Sequence, residues 1–464
     1  MGSLWSSLKV PENDTFRFVD TVILGAGVIG LSTAYQLALA FEAAGKTRTG
    51  NSNSRGPKIV VVEPAKHISP GASGTATGGL GDFGFGTETA ALGKLSYITI
   101  QATADKFNGK TVFGYSDQAV YRVTPEGFTE TPKPPNDWGP GPPTDKPLSD
   151  LPDWIEPKKN WTVQLLAGAP HGAHLDPGLY CKFLYEESKK LGVHFIFNAN
   201  VTSVNAHPAL KLFTSVQVQK YDGPRLTIWC RSIVIAAGPW SGRVYSSLFP
   251  QAKAKFQLNS IASAGNHFRV RTPGWKPSDD EQGSKQVFLN NVTPNRKGLD
   301  ITSFLGGSLY VGGFGAIPEE LPEFAEFVKA QPSEIEEMVK LVKEYLKMNA
   351  DDELEIFDEG RCYRPYATPN HPIITQVDWG LLGIDTSPNA RPQEQHTDVL
   401  PNSSTKSCSF TVGGLFLNTA HNSDGMTLSL GSGKVMSELL LGLPPSVDIS
   451  GLGLDEAQKI RLRL

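Results

Sequence analysis

Cysteine is scarce: four in 464 residues, Cys181, Cys230, Cys362 and Cys408. They are too few and too scattered for a disulfide framework or a zinc cluster, so no metal centre is expected and a reducing compartment, the cytoplasm, is the expected location. Long apolar runs are missing as well. No window approaches the roughly 18 residues of a membrane span, and the first residues lack the basic and apolar regions of a secretory leader, so no membrane association is expected. Dense basic runs are also absent, and the net charge is −4, which argues against nucleic acid and acidic membrane surfaces as partners. A small-molecule task fits what remains. Oligomeric state is left open.

Glycine is plentiful, 47 residues, and its placement organises the chain. Thr21 to Leu24 reads as the end of a buried strand, Gly25-Ala26-Gly27-Val28-Ile29-Gly30 as a tight turn, and Val28 to Phe41 as a helix with apolar residues at helical spacing. In that order the pattern is a dinucleotide cradle: Gly25 permits the turn, Gly27 lets backbone approach a pyrophosphate at the helix N-terminus, and Gly30 lets the helix pack on the strand. After a hydrophilic insertion at 44–57, the strand Lys58 to Val62 ends at Glu63, followed by Pro64. An acid normally follows the turn by about 20 residues, and despite the longer interval Glu63 is expected to bind the ribose hydroxyls.

The run from Ser69 to Gly81 is made of small residues without an apolar period. Its place after the ribose acid makes Ala72, Ser73, Gly74, Ala76, Thr77, Gly78 and Gly79 candidates to lie against a large flat ligand. Helical spacing returns from Ala90 to Phe107. Thr131 to Pro157 holds nine prolines, so it is neither helix nor central strand, and reads equally as an exposed lid margin or a linker. His174 to Gly178 opens a helix with Leu179, Phe183, Leu184 and Leu191 on its apolar side, and strands follow at Val193 to Phe197 and Val201 to Val204. A further strand, Leu226 to Ile235, runs into Ala236-Ala237-Gly238-Pro239-Trp240. Two strand-to-glycine junctions in one chain suggest two contacts with one cofactor, which favours FAD over NAD.

These stretches, with Asp176-Pro177, Gly360 to Ile374 and Gly413 to Thr427, resemble the D-amino-acid oxidase family of FAD-dependent amine oxidases, a group that includes glycine oxidase and monomeric sarcosine oxidase. The resemblance spans nearly the whole chain. It implies an α/β fold of two interleaved domains: a Rossmann-like FAD-binding domain (1–100, 161–240 and 356–464) and a substrate domain on an antiparallel sheet (101–160 and 241–355), with the flavin at their boundary. In the second domain Asn266 to Arg271 and Leu309 to Gly315 read as strands. Ser333 is expected to cap a helix, with Glu336 completing a capping box and Ile335, Met338, Val339 and Val342 buried.

The resemblance further implies that Arg364 grips a substrate carboxylate, with His267, Tyr363, Tyr366 and His371 as candidates to orient the substrate. Cys362 falls where monomeric sarcosine oxidase is joined covalently to its flavin, so FAD attached through Cys362 is one reading and an unreactive buried cysteine the other. Ser423-Asp424-Gly425-Met426-Thr427 would bring backbone N–H groups to the flavin ahead of a closing helix from about Leu430 to Leu441, and Val201 and Trp240 would complete the cofactor site. Thr427 stands where that oxidase has a lysine, which puts oxygen reactivity in question. The implied reaction moves a hydride equivalent from the carbon beside a neutral amine to flavin N5. Water hydrolyses the imine, and O2 is reduced to hydrogen peroxide. Two alternatives stay open: a dehydrogenase with another acceptor, and a low-turnover FAD-bound trafficking or scaffold protein.

Overall fold

The computed structural model describes residues 19–44, 59–125, 143–207, 211–253, 264–290, 298–313, 319–348, 353–367, 370–384 and 411–454. The insertion after Ala44, residues 131–142 of the proline-dense stretch, and Cys408 lie outside the described residues.

Strands rich in valine, isoleucine and leucine form the first sheet, of eight strands. Its spatial order is Ile373–Gln376, Gly414–Thr419, Arg225–Ile235, Val19–Leu24, Ile59–Val62, His194–Ile196, with Leu212–Lys220 and Ala199–His207 continuing from Arg225–Ile235. The four neighbour pairs from Gly414–Thr419 to His194–Ile196 are parallel. Successive side chains in a strand point to opposite faces, and here both faces are covered, which is why these strands read as continuous apolar runs. Ile23, Val61, Val234 and Phe416 pack with the helices Val28–Ala43 and Gly425–Leu440, while Val22, Val60, Ile233 and Leu415 pack with Tyr245 of the helix Ser241–Leu248.

The second sheet has ten strands, in the order Ile356–Tyr363, Ala264–Arg271, Ser308–Gly313, Leu299–Phe304, Ser284–Leu289, Ser116–Thr124, Thr162–Ala167, Thr144–Lys146, with Gly79–Gly81 and Gly172–His174 attached. Its described pairs are antiparallel apart from Ser284–Leu289 beside Ser116–Thr124. One face buries Val123, Phe268, Val287, Ile301 and Val311 against Ile335, Met338 and Val342 of the helix Pro332–Lys343. The alternate residues Gln118, Gln286, Asp300 and Tyr310 face the other way. The expected α/β architecture, with a Rossmann-like unit beside a largely antiparallel sheet, is the one found. Thr162–Ala167 and Ile356–Tyr363 pair in the second sheet, although they lie in segments expected to belong with the first.

Some local expectations need correction. The helix at 332 is capped by Gln331 with no side-chain bond. Pro332, whose fixed φ and missing N–H suit a first turn, starts it in place of Ser333, and Glu334 rather than Glu336 turns inward. The helix Pro177–Lys190 has Asp176 as its cap, accepting from Leu179 N–H at 3.0 Å, which leaves Leu179 45% exposed in the first turn. Its buried face keeps the expected Phe183 and Leu184 and adds Tyr180 and Cys181. The closing helix begins at Gly425, well before Leu430.

Candidate active site

Strand register brings the two glycine junctions together. Leu24 pairs with Ile235 and Val62, and Ile235 with Leu417. The chain therefore leaves the sheet at Gly25, Glu63, Ala236 and, after two further residues, Ala420 along one edge, the carboxyl edge at which open α/β sheets bind ligands. Gly25 has φ +110°, and a Cβ there would lie 2.5 Å from the Ala236 carbonyl oxygen, so first turn and second junction meet backbone to backbone. Glu63 is 6% exposed. Its carboxylate accepts from Ala26 N–H at 2.7 Å and Ala65 N–H at 3.0 Å, tying the turn to the second strand. Burial pushes its pKa up, and these two bonds work against that. The small-residue run folds over the turn: Ser73 Oγ accepts from Val28 N–H at 3.0 Å, and Ser69 N–H donates to Ala26 O at 2.9 Å.

A cavity of about 680 Å³ opens from this edge and reaches the second sheet. Every cofactor residue expected from sequence lines it except Ala26, Gly30, Gly74 and Gly78, which stand behind the wall. Gly30 is pressed on the strand, where a Cβ would come within 2.0 Å of Gly25 O. A segment at 321–325 crosses over the cavity. Arg243 holds it by donating to the carbonyls of Leu321 at 2.8 Å, Pro322 at 2.8 Å and Glu323 at 3.3 Å, and Trp240 Nε1 donates to Pro322 O at 2.8 Å. Glu323, Phe324 and Ala325 line the space beneath.

At the far end, Cys362, Arg364 and Tyr366 line the cavity, whereas Tyr363 and His267 do not. Tyr363 points away, its hydroxyl bonded to the Glu319 carboxylate, and Arg361 joins Glu319 at 2.5 Å to Glu334 at 3.2 Å in a buried cluster behind the wall. His267 stacks on Tyr310 with centroids 5.3 Å apart. Burial holds its pKa down at about 4, so it is neutral. His371, half-buried, bonds through Nδ1 to Pro372 O at 2.9 Å and is also off the cavity.

Arg364 has no carboxylate within ion-pair distance among the described residues. Burial works against its charge, but Cys362, Tyr366, Tyr310 and Asp300 together outweigh it and raise its pKa. Burial raises the Cys362 thiol, with Arg364 and Arg361 pulling it back. Asp424, in the turn before the closing helix, is pushed up to about 6 by burial, while Ser423 and Arg364 oppose the shift. His421 Nε2 and Ser432 Oγ share a hydrogen bond at 2.9 Å, and burial holds the His421 pKa down at about 3. On either side of His421, Ala420 and Asn422 adopt φ +63° and +53°. Such left-handed conformations are strained for residues with a Cβ and persist where the surroundings impose them. The closing helix then starts with no side-chain cap, its first turn, including Thr427, facing the cavity.

Sequence reasoning passed over Gln118, Gln286, Asp300 and Tyr310, which form the cavity floor. They occupy alternate positions of half-polar strands, a pattern that reads as a solvent face. The alternation was the available signal, but it does not say what covers that face. Among the described residues no group of three His, Cys, Asp or Glu could hold a metal ion, and no helix is long and apolar enough to cross a membrane.

Comparison with known proteins agrees with this geometry. A Schizosaccharomyces pombe (strain 972) protein named as an oxidoreductase, C1F5.03c, is 23% identical over 434 residues, covering 90% of this chain and 93% of its own. Glycine oxidase from Bacillus cereus ATCC 14579 superposes with a TM-score of 0.62 at 18% identity, over 94% of this chain and 97% of its own. L-proline dehydrogenase from P. horikoshii superposes with a TM-score of 0.66 at 11% identity, over 95% and 98%. At such identities the solved structures speak for the fold. The family model described as DAO, FAD dependent oxidoreductase, matches residues 20–439. With that match spanning most of its length, the chain belongs to the DAO family of FAD-dependent oxidoreductases.

Proposed function

We propose that the protein binds FAD along this cavity and oxidises a small amine or amino acid at the carbon beside the nitrogen. The observation that carries the reading is the continuity of one cavity from Glu63 and both glycine junctions to the guanidinium of Arg364, which has no carboxylate partner among the described residues. The residues fit the group. The glycine turns leave backbone bare where dinucleotide phosphates would lie, Glu63 ends the second strand where a ribose diol is read, and the uncapped first turn of the closing helix opens on the same space. When bound, the flavin supplies the two-electron chemistry, accepting a hydride equivalent from the substrate C–H and passing the electrons on.

The chain's own work is positioning. Arg364 offers a planar, permanently charged fork for a carboxylate. Tyr310 and Tyr366 wall the reacting end, and Phe83, Phe85 and Phe288 make part of the cavity apolar and exclude water. The positive end of the closing helix favours negative charge beside its first turn. Oxygen as acceptor, with hydrogen peroxide as product, belongs to the proposal. A dehydrogenase is the second reading, favoured by Thr427 and by the lack of any lysine among the described lining residues.

The purified protein should be yellow or take up FAD, a screen of amines and amino acids should release peroxide, and stopped-flow mixing of substrate-reduced protein with oxygen should restore flavin absorption within seconds. Protein that stays reduced in oxygen points to the dehydrogenase. Bound FAD with no substrate in the screen points to a low-turnover role. Colourless protein that cannot be reconstituted overturns the reading.

A further inference from the structure

Two opposite charges face the cavity without meeting each other. Arg364 has no ion-pair partner among the described residues, and neither has Asp300. Asp300 Oδ1 accepts from Gln286 Nε2 at 2.9 Å and Thr302 Oγ1 at 3.2 Å, while Oδ2 has no hydrogen-bond donor among the described residues. Beside it lies a second idle acceptor. Gln118, 1% exposed, gives Nε2 to Ser284 Oγ at 3.2 Å, and its Oε1 has no partner among the described residues. The amide oxygens of Gln118 and Gln286 converge near Gly79: a Cβ built there would meet them at 3.2 and 2.9 Å.

Asp300 Oδ2 and Gln118 Oε1 thus have no donor among the described residues, in a cavity that the cation Arg364 also lines, close enough for Asp300 and Arg364 to act on each other's charge. Buried acceptors and charges are costly when unmatched. The complementary ligand carries several N–H donors and a positive charge at one end and an anionic oxygen pair at the other, which is the pattern of an ammonium beside a carboxylate.

We propose that Asp300, supported by Gln118 and Gln286, is the specificity-determining residue that receives the substrate's ammonium, opposite Arg364, so that the site selects amino acids over amines lacking a carboxylate and acids lacking an amine. The inference rests on the flavin-dependent reading of the same cavity. Its test uses FAD-loaded protein without oxygen and ligand pairs that differ only in the amine: alanine against propionate, and phenylalanine against 3-phenylpropionate, in both enantiomers. Binding is read by rapid mixing: from the immediate perturbation of the oxidised flavin's absorption for the amine-free acids and for any amino acid that leaves the flavin oxidised, and from the concentration dependence of flavin bleaching for any that reduces it.

Wild type is expected to bind the amine-bearing member of at least one pair tenfold or more tightly. Asp300→Asn, which keeps the shape of the side chain, should remove that preference while leaving the affinity for the amine-free acid unchanged or improved. Asp300→Glu should restore part of it, and Arg364→Gln should weaken both members of a pair. Equal loss for both members in Asp300→Asn, no change in either, or no preference in wild type overturns the assignment. Whether the protein carries flavin is decided separately, by the absorption spectrum before any ligand is added.

Discussion

At Cys362 two influences compete. Burial raises the thiol pKa, the neighbouring guanidiniums of Arg364 and Arg361 lower it, and burial prevails. The thiolate is the attacking form of cysteine, and no lysine among the described lining residues adds positive charge to draw it out. FAD is therefore expected to be held without a covalent bond. Acid precipitation of the loaded protein should leave a white pellet and a yellow supernatant, and a pellet that keeps its colour would establish the thioether instead. The same end of the cavity marks the reach of residue-by-residue reading. Arg364 could be found because it sits in a recognisable local run with Pro365. The same run offers Tyr363, its near neighbour, but strand alternation turns that side chain to the far side, onto Glu319. Asp300 carries no local signal beyond polarity, and its meaning comes from Gln286, Thr302 and Gln118, brought beside it by strand pairing.

The helices separate what propensity reveals from what packing decides. Val28–Ala43 was legible at its start because turn and helix share one glycine pattern. The closing helix was not, since Gly425, Ser429, Gly431, Ser432 and Gly433 are poor helix formers whose cost is met only by burial against neighbouring elements. Gly431 lies against Ser96 of the helix Thr87–Phe107, and Gly433 against Ser32, where a Cβ would come within 2.5 Å of a backbone oxygen. Gly433→Ala gains intrinsic helix propensity yet must push two helices apart. We expect a net loss of about 1–3 kcal/mol, typical of overpacking, measured as a lower denaturant midpoint. FAD affinity should weaken as well, because the first turn of the displaced helix lines the cavity. A midpoint at or above that of wild type would mean that the interface yields more easily than its backbone contacts imply.

For the molecule as a whole, the first sheet could be read ahead because its central strands are buried on both faces and two of them run into glycine turns. The second could be read only in part, since its membership depends on distant pairings such as Ser284–Leu289 beside Ser116–Thr124. The union of the two sheets buries titratable groups from both, and this sets the response to acid. Burial holds His174 and His267 at about 4 and His421 at about 3, against an ordinary value of 6.5. As pH falls below about 6.5 the unfolded chain takes up these protons first, so each histidine removes stability, at up to about 1.4 kcal/mol per pH unit, until its folded pKa is reached. Asp300 and Asp424, raised by burial from 3.8 to about 6, act oppositely between about pH 6 and 4. There the folded state binds the proton first and gains stability as pH falls. Three losses against two gains leave the flavin-free protein with a shallow acid slope in that window, steepened by His194, whose pKa burial also lowers, and eased by Glu63, whose pKa burial raises. The variant carrying both Asp300→Asn and Asp424→Asn removes the two gains. Thermal melts across pH 7 to 4 should find it at least as stable as wild type at pH 7, where it no longer buries two charged carboxylates, and losing stability more steeply below pH 6. Parallel curves for the two proteins would mean that neither aspartate titrates in the folded state where its burial places it.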